Sequence, residues 1–252
     1  IGSMGEHLAK DVGDWYSKYF KNRNKSIINT YFQTETGGIL FSPKFNEKIN
    51  KSPNGSVGSI VKNIHYDSLE IKQKKEILVK SPFPGLMKKV INSQKEHRKY
   101  FDKNGNFRLF DLATKIRNAV YVHGRIDDVI NVRGHRIGCA ELEKIILKIK
   151  NITECAAIGV SNKLEGKVFI LFLVSKKPNL DMSINKEIIS HFGSFAIPKK
   201  VYYLSEVPKT RSGKILRRLL RDLFEKKTRL GDLSTIKNKK IIEEIRVKIN
   251  EN

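Results

Sequence analysis

The rhythm of hydrophobic and polar positions changes several times along this chain, and each change marks an element. Residues 6–21, EHLAKDVGDWYSKYFK, place Leu8, Val12, Trp15, Tyr16 and Tyr19 largely on one side at helical spacing, which predicts an amphipathic helix. KSIINTYF at 25–32 is an apolar run of strand length that leads into the glycine-bearing turn QTETGG. Residues 42–58 are rich in Pro, Gly, Asn and Ser and predict a loop. EILVKSP at 76–82 predicts a strand ended by Pro82, and FPGLMKKVI after it carries its own Pro-Gly break. YFDKNGNFRLFD alternates around an Asn-Gly pair and predicts a hairpin, and AVYVHGRIDDVINVRGHRIG alternates again.

Near residue 127 the pattern becomes a mixture of helices and short apolar strands. GCAELEKIILKI predicts a helix facing Leu142, Ile145, Ile146 and Ile149 to a core. CAAIGV and KVFILFLVS predict strands, INKEIISHFG a helix capped by Ser183, and KKVYYLSEVP a further strand. GKILRRLLRDLFEKK predicts a helix with Ile215, Leu216, Leu219, Leu220 and Leu223 on its apolar face. This is the α/β (more narrowly α+β) class, with a small domain over about 128–227. The stretch TRLGDLSTIKNKKIIEEIRVKINEN is charged and weakly amphipathic, and is expected to be a peripheral helix or a charged tail over 228–252.

Composition narrows the function classes. With 39% hydrophobic residues, 13 Phe and 8 Tyr in 252 residues, the chain can build a real core. Two cysteines, Cys139 and Cys155, make neither a disulfide framework nor a zinc site, and read as buried thiols in a reducing compartment. No apolar run approaches bilayer length and IGSMGEHLAK is not a signal peptide, so the expectation is a soluble intracellular protein of cytoplasm or nucleus. The net charge of +23 raises nucleic acid as a partner. The lysines are dispersed among Asn and Ile instead of concentrated on one element, so a general lysine bias explains them better and specific nucleic-acid binding is not expected. The charge would still steer phosphorylated ligands inward.

Three motifs carry candidate chemistry. YFQTETGG sets Thr34 and Thr36 hydroxyls, the Glu35 carboxylate and two glycines directly after a strand. Glycines let backbone approach a ligand, and a carboxylate beside hydroxyls suits Mg²⁺ held against phosphate oxygens. GRIDDVINVRGHRIG brings Arg125, Arg133 and Arg136 around two aspartates, and guanidinium groups favour phosphate and carboxylate. PKTRSGK puts Ser212-Gly213-Lys214 just ahead of a helix, where amides and dipole favour an anion. Taken singly, each reads more simply as a structural turn, a salt-bridged hairpin or a solvated basic loop.

Their order and company point further. YFQTETGG, then Asp111 in RLFDLATK, then GRIDDVINVRGHRIGCAELE, then PKTRSGK resembles the adenylate-forming acyl-CoA synthetase family, most nearly its acetate–CoA ligases, from GSMGE at 2–6 to about Asp222. The resemblance implies the C-terminal part of a large adenylate-forming domain over 1–126, then a small mobile α+β lid over 127–227. It implies ligation of acetate to CoA through an acetyl-adenylate, with ATP and CoA as co-substrates and Mg²⁺ accompanying ATP. Gly5, Glu6 and His7 fall at the adenine-pocket segment, and Asn29, Thr30, Tyr31, Phe32, Gln33 and Thr34 at the strand and turn that pack on nucleotide and acyl group. Glu35 matches the magnesium-contacting carboxylate and Asp111 the carboxylate that holds the ribose hydroxyls. Arg125 and Arg136 match arginines near ribose and phosphate, and Asp127 the hinge. Arg133 and Gly134 fall where CoA passes, the glycine leaving room for pantetheine. Lys214 matches the adenylation lysine, which implies a lysine acetyltransferase and deacetylase as partners acting there.

Departures from the family pattern qualify this. Tyr31 and Phe32 stand where acetate-specific members commonly carry two tryptophans, so Phe32 is expected to block long chains while leaving room for propionate. His7 replaces a frequent proline and Asn29 a usual aspartate. The Ser/Thr/Gly-rich phosphate loop is nowhere in these 252 residues. The expectation is therefore a C-terminal portion of such a ligase that does not catalyse the whole reaction alone, with a catalytically inactive basic interaction protein as the competing class.

Overall fold

The computed structural model describes residues 2–5, 8, 10–20, 27–44, 53–61, 75–79, 84–162 and 165–251. The chain divides into two units, Ile1–Ile126 and Asp127–Asn252.

In the first unit β1 (Gly2–Ser3) lies parallel to β2 (Ile28–Asn29), and helix α1 (Lys10–Phe20) falls between them in the chain. A three-stranded antiparallel sheet follows from β3 (Tyr31–Gln33), β4 (Gly38–Ser42) and β5 (Ser59–Ile60). A second is built by β6 (Lys75–Val79), β7 (Phe107–Ile116) and β8 (Ala119–Arg125), with the short helix α2 (Gln94–Lys99) preceding β7. Leu40, Phe41, Ile77, Val79, Phe107, Leu109 and Val120 form one buried cluster across both sheets.

The helix predicted over 6–21 is present as Lys10–Phe20 among the described residues, and its apolar side stays outside the core: Val12, Trp15 and Tyr19 are exposed and only Gly13 is buried. Its rings pack on one another instead, Trp15 on Tyr19 and Tyr16 on Phe20. The Asn-Gly turn is present but short, carrying a single antiparallel bridge. The Asp102 amide donates to the Asn106 carbonyl at 2.9 Å and the Arg108 amide to the Tyr100 carbonyl at 2.7 Å across the antiparallel Phe101–Phe107 bridge, and the Asp102 carboxylate accepts the Asn104 and Asn106 amides inside the turn. The long hairpin is the next one along the chain, turning at Arg117-Asn118 with Ile116 opposite Ala119.

In the second unit β9 (Val129–Val132) and β10 (His135–Gly138) form a hairpin and lead into helix α3 (Cys139–Ile146). β11 (Ile152–Asn162) and β12 (Gly166–Ser175) make a long antiparallel pair, helix α4 (Asp181–Phe192) follows, and β13 (Lys200–Tyr203) joins β12 in parallel. Helices α5 (Arg217–Phe224) and α6 (Lys240–Asn250) close the chain. Ser183 lies inside α4 and caps nothing; the helix starts after Leu180, without a side-chain cap.

The sheet is covered on both faces. Phe169, Leu171 and Leu173 of β12 pack with Leu142 and Ile146 of α3 and Ile184 and Ile188 of α4. The alternate residues Val168, Ile170 and Phe172 pack with Leu219, Leu220 and Leu223 of α5 and Ile241, Ile242 and Ile245 of α6. A strand apolar at every position needs partners on both sides. This is why 228–252 is not a charged tail: its isoleucines bury the face that α5 leaves open.

Cys139 and Cys155 are both buried in the first of these layers, and burial pushes both thiols well above their ordinary value. Neither is expected to react with an alkylating reagent at pH 8 in the native protein, and both should react in urea. Stoichiometric labelling of the native chain, counted by mass spectrometry, would contradict this burial.

Candidate functional site

The first unit gathers its chemistry at the end of β3. Strand alternation turns Tyr31 and Gln33 to one side and Phe32, 40% exposed, to the other. Tyr31 donates its phenolic proton to Asp111 Oδ2 at 2.5 Å, and Gln33 Nε2 reaches the same oxygen at 2.7 Å and the Leu109 carbonyl at 2.8 Å. Asp111 is nonetheless buried. Burial, reinforced by this carboxylate, pushes the Tyr31 phenol far above its ordinary value, so it acts there as a donor. Arg125 is the cross-strand partner of Asp111 in the β7–β8 ladder.

The turn after β3 is fixed by its own hydroxyl. Thr36 Oγ1 donates to the Gln33 carbonyl at 2.8 Å and accepts the Gln33 amide at 3.2 Å, winding 34–36 into a single 3₁₀ turn. Gly37 ends it at φ 61°, where a Cβ would stand 2.7 Å from the Gly85 carbonyl oxygen. Only glycine fits both the angle and the approach. The turn holds Glu35 part-exposed, with the Tyr100 hydroxyl 3.4 Å from its carboxylate.

Gly5 is an exposed bend at φ 90°, and Glu6 and His7 lie outside the described residues. Asn29 is buried with its amide donating to the Ser56 carbonyl at 2.9 Å, which makes it a bracket for that loop. Thr30 donates its backbone amide to Ser3, while Thr34 is exposed.

In the second unit Asp127 is exposed in the single 3₁₀ turn Ile126–Asp128. Arg133 and Gly134 form the two-residue turn of the β9–β10 hairpin at φ 49° and 89°. Both positive values match the twist of a tight hairpin. A Cβ at Gly134 would meet nothing within 4 Å, so the space beside it is open. Arg133 is exposed and paired to Glu165 at 3.4 Å, a carboxylate also held by Lys199 at 2.8 Å. Arg136 is exposed on β10. Lys214 is exposed in a loop closed by Thr210, whose amide donates to the Lys214 carbonyl at 2.8 Å and whose hydroxyl accepts the Lys214 amide at 3.1 Å.

Residues 141–214 match the family described as the AMP-binding enzyme C-terminal domain. The chain carries an AMP-binding enzyme C-terminal domain. The whole chain has relatives too: 97% of it is 31% identical to acetyl-coenzyme A synthetase 2 of Candida albicans, and 99% is 32% identical to an acetyl-coenzyme A synthetase of Coprinopsis cinerea. It covers 39% and 41% of those proteins, about two fifths of their length. In fold it is similar to ATP-bound MatB from Rhodopseudomonas palustris, with TM-score 0.71 and 21% identity over 89% of this chain and 44% of that one. It is also similar to the acetoacetyl-CoA synthetase from Streptomyces lividans, with TM-score 0.77 and 19% identity over 100% of this chain and 40% of that one. The resemblance to adenylate-forming acyl-CoA synthetases carried by the four motifs is thus met along nearly the whole chain.

In the first unit, sequence reasoning passed over two side chains. Tyr100 reaches Glu35 across 65 positions of sequence, with no local signal. Phe110 holds φ 56° inside β7, a strained value for an aromatic residue. The Arg108 and Arg125 guanidiniums lie over its ring at 4.7 and 5.6 Å, and Tyr100 meets it edge-on. The residue before Asp111 is thereby held on three sides.

Proposed function

We propose that this chain serves an acetate–CoA ligase, which joins acetate to CoA through an acetyl-adenylate. An acetate oxygen attacks the α-phosphorus of ATP and the bond to diphosphate breaks; the CoA sulfur then attacks the acetyl carbon, AMP leaves, and the thiol proton is released. The observation that carries the reading is the Asp111 carboxylate, oriented by Tyr31 and Gln33 and in register with Arg125. A carboxylate held in this way accepts hydrogen bonds from vicinal ribose hydroxyls without reorganising.

Arg125 and Arg136 then answer phosphate charge, and Gly5 with the 29–34 segment adenine and acyl group. Glu35 fits a single carboxylate ligand for Mg²⁺ arriving with ATP: it is part-exposed on a rigid turn, and no cluster of three metal-binding side chains is present among the described residues. Phosphate oxygens would complete such a site. Phe32 bounds the acyl pocket for acetate, with propionate the next larger acid admitted. The unit from Asp127 acts as the lid, turning about that residue to exchange Lys214 for the Arg133-Gly134 turn, where CoA enters. Among the described residues no helix is long and apolar enough to cross a membrane. Cytoplasm or nucleus would supply ATP and CoA, and an exposed Lys214 is open to an acetyltransferase and a deacetylase.

The test is acetate-dependent exchange of labelled diphosphate into ATP by the ligase that contains this chain. Asp111→Asn is expected to raise KM for ATP roughly tenfold or more, since hydrogen bonds to a charged group are worth about 1.5–3 kcal/mol. An unchanged KM for ATP in a folded variant would reject the ribose-holding role.

A further inference from the structure

We propose that residues 233–250 form a brace that positions the backbone of the Lys214 loop, a role that rests on reading Lys214 as the adenylation lysine. The loop is the edge of a miniature antiparallel ribbon. Lys209 bridges Ile215 on one side, and Thr210 bridges Ile236 on the other. Two backbone hydrogen bonds frame the second bridge: the Arg211 amide donates to the Thr235 carbonyl at 3.1 Å, and the Lys237 amide to the Lys209 carbonyl at 2.9 Å. Residues 209–211 are therefore the middle strand, with the loop containing Lys214 folded back from one edge and 235–237 pairing along the other.

The pairing is anchored from below. Ile236 is 4% exposed, and Ile241, Ile242 and Ile245 of α6 sit in the same buried cluster as Leu219, Leu220 and Leu223. Side chains add ties at the loop base. Glu244 accepts from the Ser205 amide at 2.7 Å and from its hydroxyl, and Asn238 donates to Glu206. Glu154 takes the Val207 amide at 3.0 Å and the Lys209 ammonium at 2.5 Å. The residues matched to the AMP-binding C-terminal domain stop at Lys214, so the brace lies wholly beyond them.

Position matters because an exposed lysine has a flexible stem, and the only part the fold can preset is where that stem begins. A loop held by its own Thr210 bonds alone could shift as a unit; pairing with 235–237 removes that freedom. A displacement of about 1 Å at a charge-stabilising group can cost up to roughly 100-fold in rate.

Lys237→Pro removes the donor to the Lys209 carbonyl without touching Lys214. In the ligase that contains this chain, acetyl-adenylate formation is expected to fall about 10-fold or more, while thioester formation from supplied acetyl-adenylate stays within twofold of wild type. The rate at which acetic anhydride labels Lys214 should change with it. Unchanged adenylation and labelling, or equal losses in both half-reactions, would overturn the brace. Hydrogen exchange of the wild-type Arg211 and Lys237 amides decides the matter should the variant not fold: protection supports the pairing, and exchange at open-loop rates overturns it. Lys214→Gln, run in parallel, separates the two readings. If it leaves adenylation intact, the lysine's role fails; if it abolishes adenylation while Lys237→Pro has no effect, only the brace fails.

Discussion

In the acetate–CoA ligase proposed to contain this chain, replacing Lys214 with glutamine is expected to slow acetyl-adenylate formation by about 10²–10³-fold, the range observed when one donor that stabilises developing charge is removed. Negative charge grows on the α-phosphate oxygens and on the leaving diphosphate as the acetate oxygen closes in, and an ammonium supplies a full positive charge there. Glutamine keeps much of the length and some hydrogen-bonding capacity but none of the charge, so the loss measures electrostatics. The loop should be unperturbed, because its contacts to Thr210 are made by the Lys214 backbone amide and carbonyl. Thioester formation needs no such charge and should survive. Diphosphate exchange measured beside thioester formation from supplied acetyl-adenylate separates the steps, and normal exchange in Lys214→Gln would remove the lysine from the mechanism. Acetylation of the ammonium would act by the same neutralisation.

Arg217→Ala is expected to destabilise the second unit by about 3–5 kcal/mol, the cost of leaving a buried charge without its partner. Arg217 Nη2 and Nε meet the Glu143 carboxylate at 2.6 and 3.0 Å, and Glu143 is 6% exposed. Nη1 lies 3.9 Å from Asp128, beside the proposed hinge residue, so one guanidinium ties α5 to α3 and to the Ile126–Asp128 turn. Without it Glu143 keeps the Ala157 amide at 2.8 Å. Burial already pushes the Glu143 carboxyl up against the opposing pull of Arg217, and removing that pull sends it higher. A carboxyl raised in the folded state binds more protons there than in the unfolded chain. Its variant therefore loses stability as pH rises from the ordinary carboxyl value, about 4.3, through the raised one. Urea titration should show a larger deficit at pH 7 than at pH 5. A deficit below about 1 kcal/mol at pH 7 would mean the pair is solvated like a surface bridge.

The second unit was legible where periodicity and burial agree. The apolar faces of α3 and α5 follow from Leu142, Ile145 and Ile146, and from Leu219, Leu220 and Leu223, all buried. The two-residue turn at Arg133-Gly134 follows from alternation on either side of it. The first unit was read less well because its pattern competes with contacts distant in sequence. Residues 102–106 carry the strongest local hairpin signal and do close between Phe101 and Phe107, yet the pairing stops at that bridge and β7 pairs along its length with β6 and β8.

By itself the sequence determined the order of the motifs, the strand–turn chemistry of YFQTETGG, the glycine positions and the α+β class. Each depends on neighbours a few residues apart, where spacing dictates geometry. Only tertiary structure decided that Tyr31 and Gln33 converge on Asp111 some 80 positions later, that Tyr100 reaches Glu35, and that Arg108 and Arg125 flank Phe110. It also decided that the charged C-terminal stretch belongs to the core. Ile241, Ile242, Ile245 and Ile249 stand at helical spacing and announce a helix, but its burial follows only because the β11–β12 pair is apolar on both faces and the second face needs them.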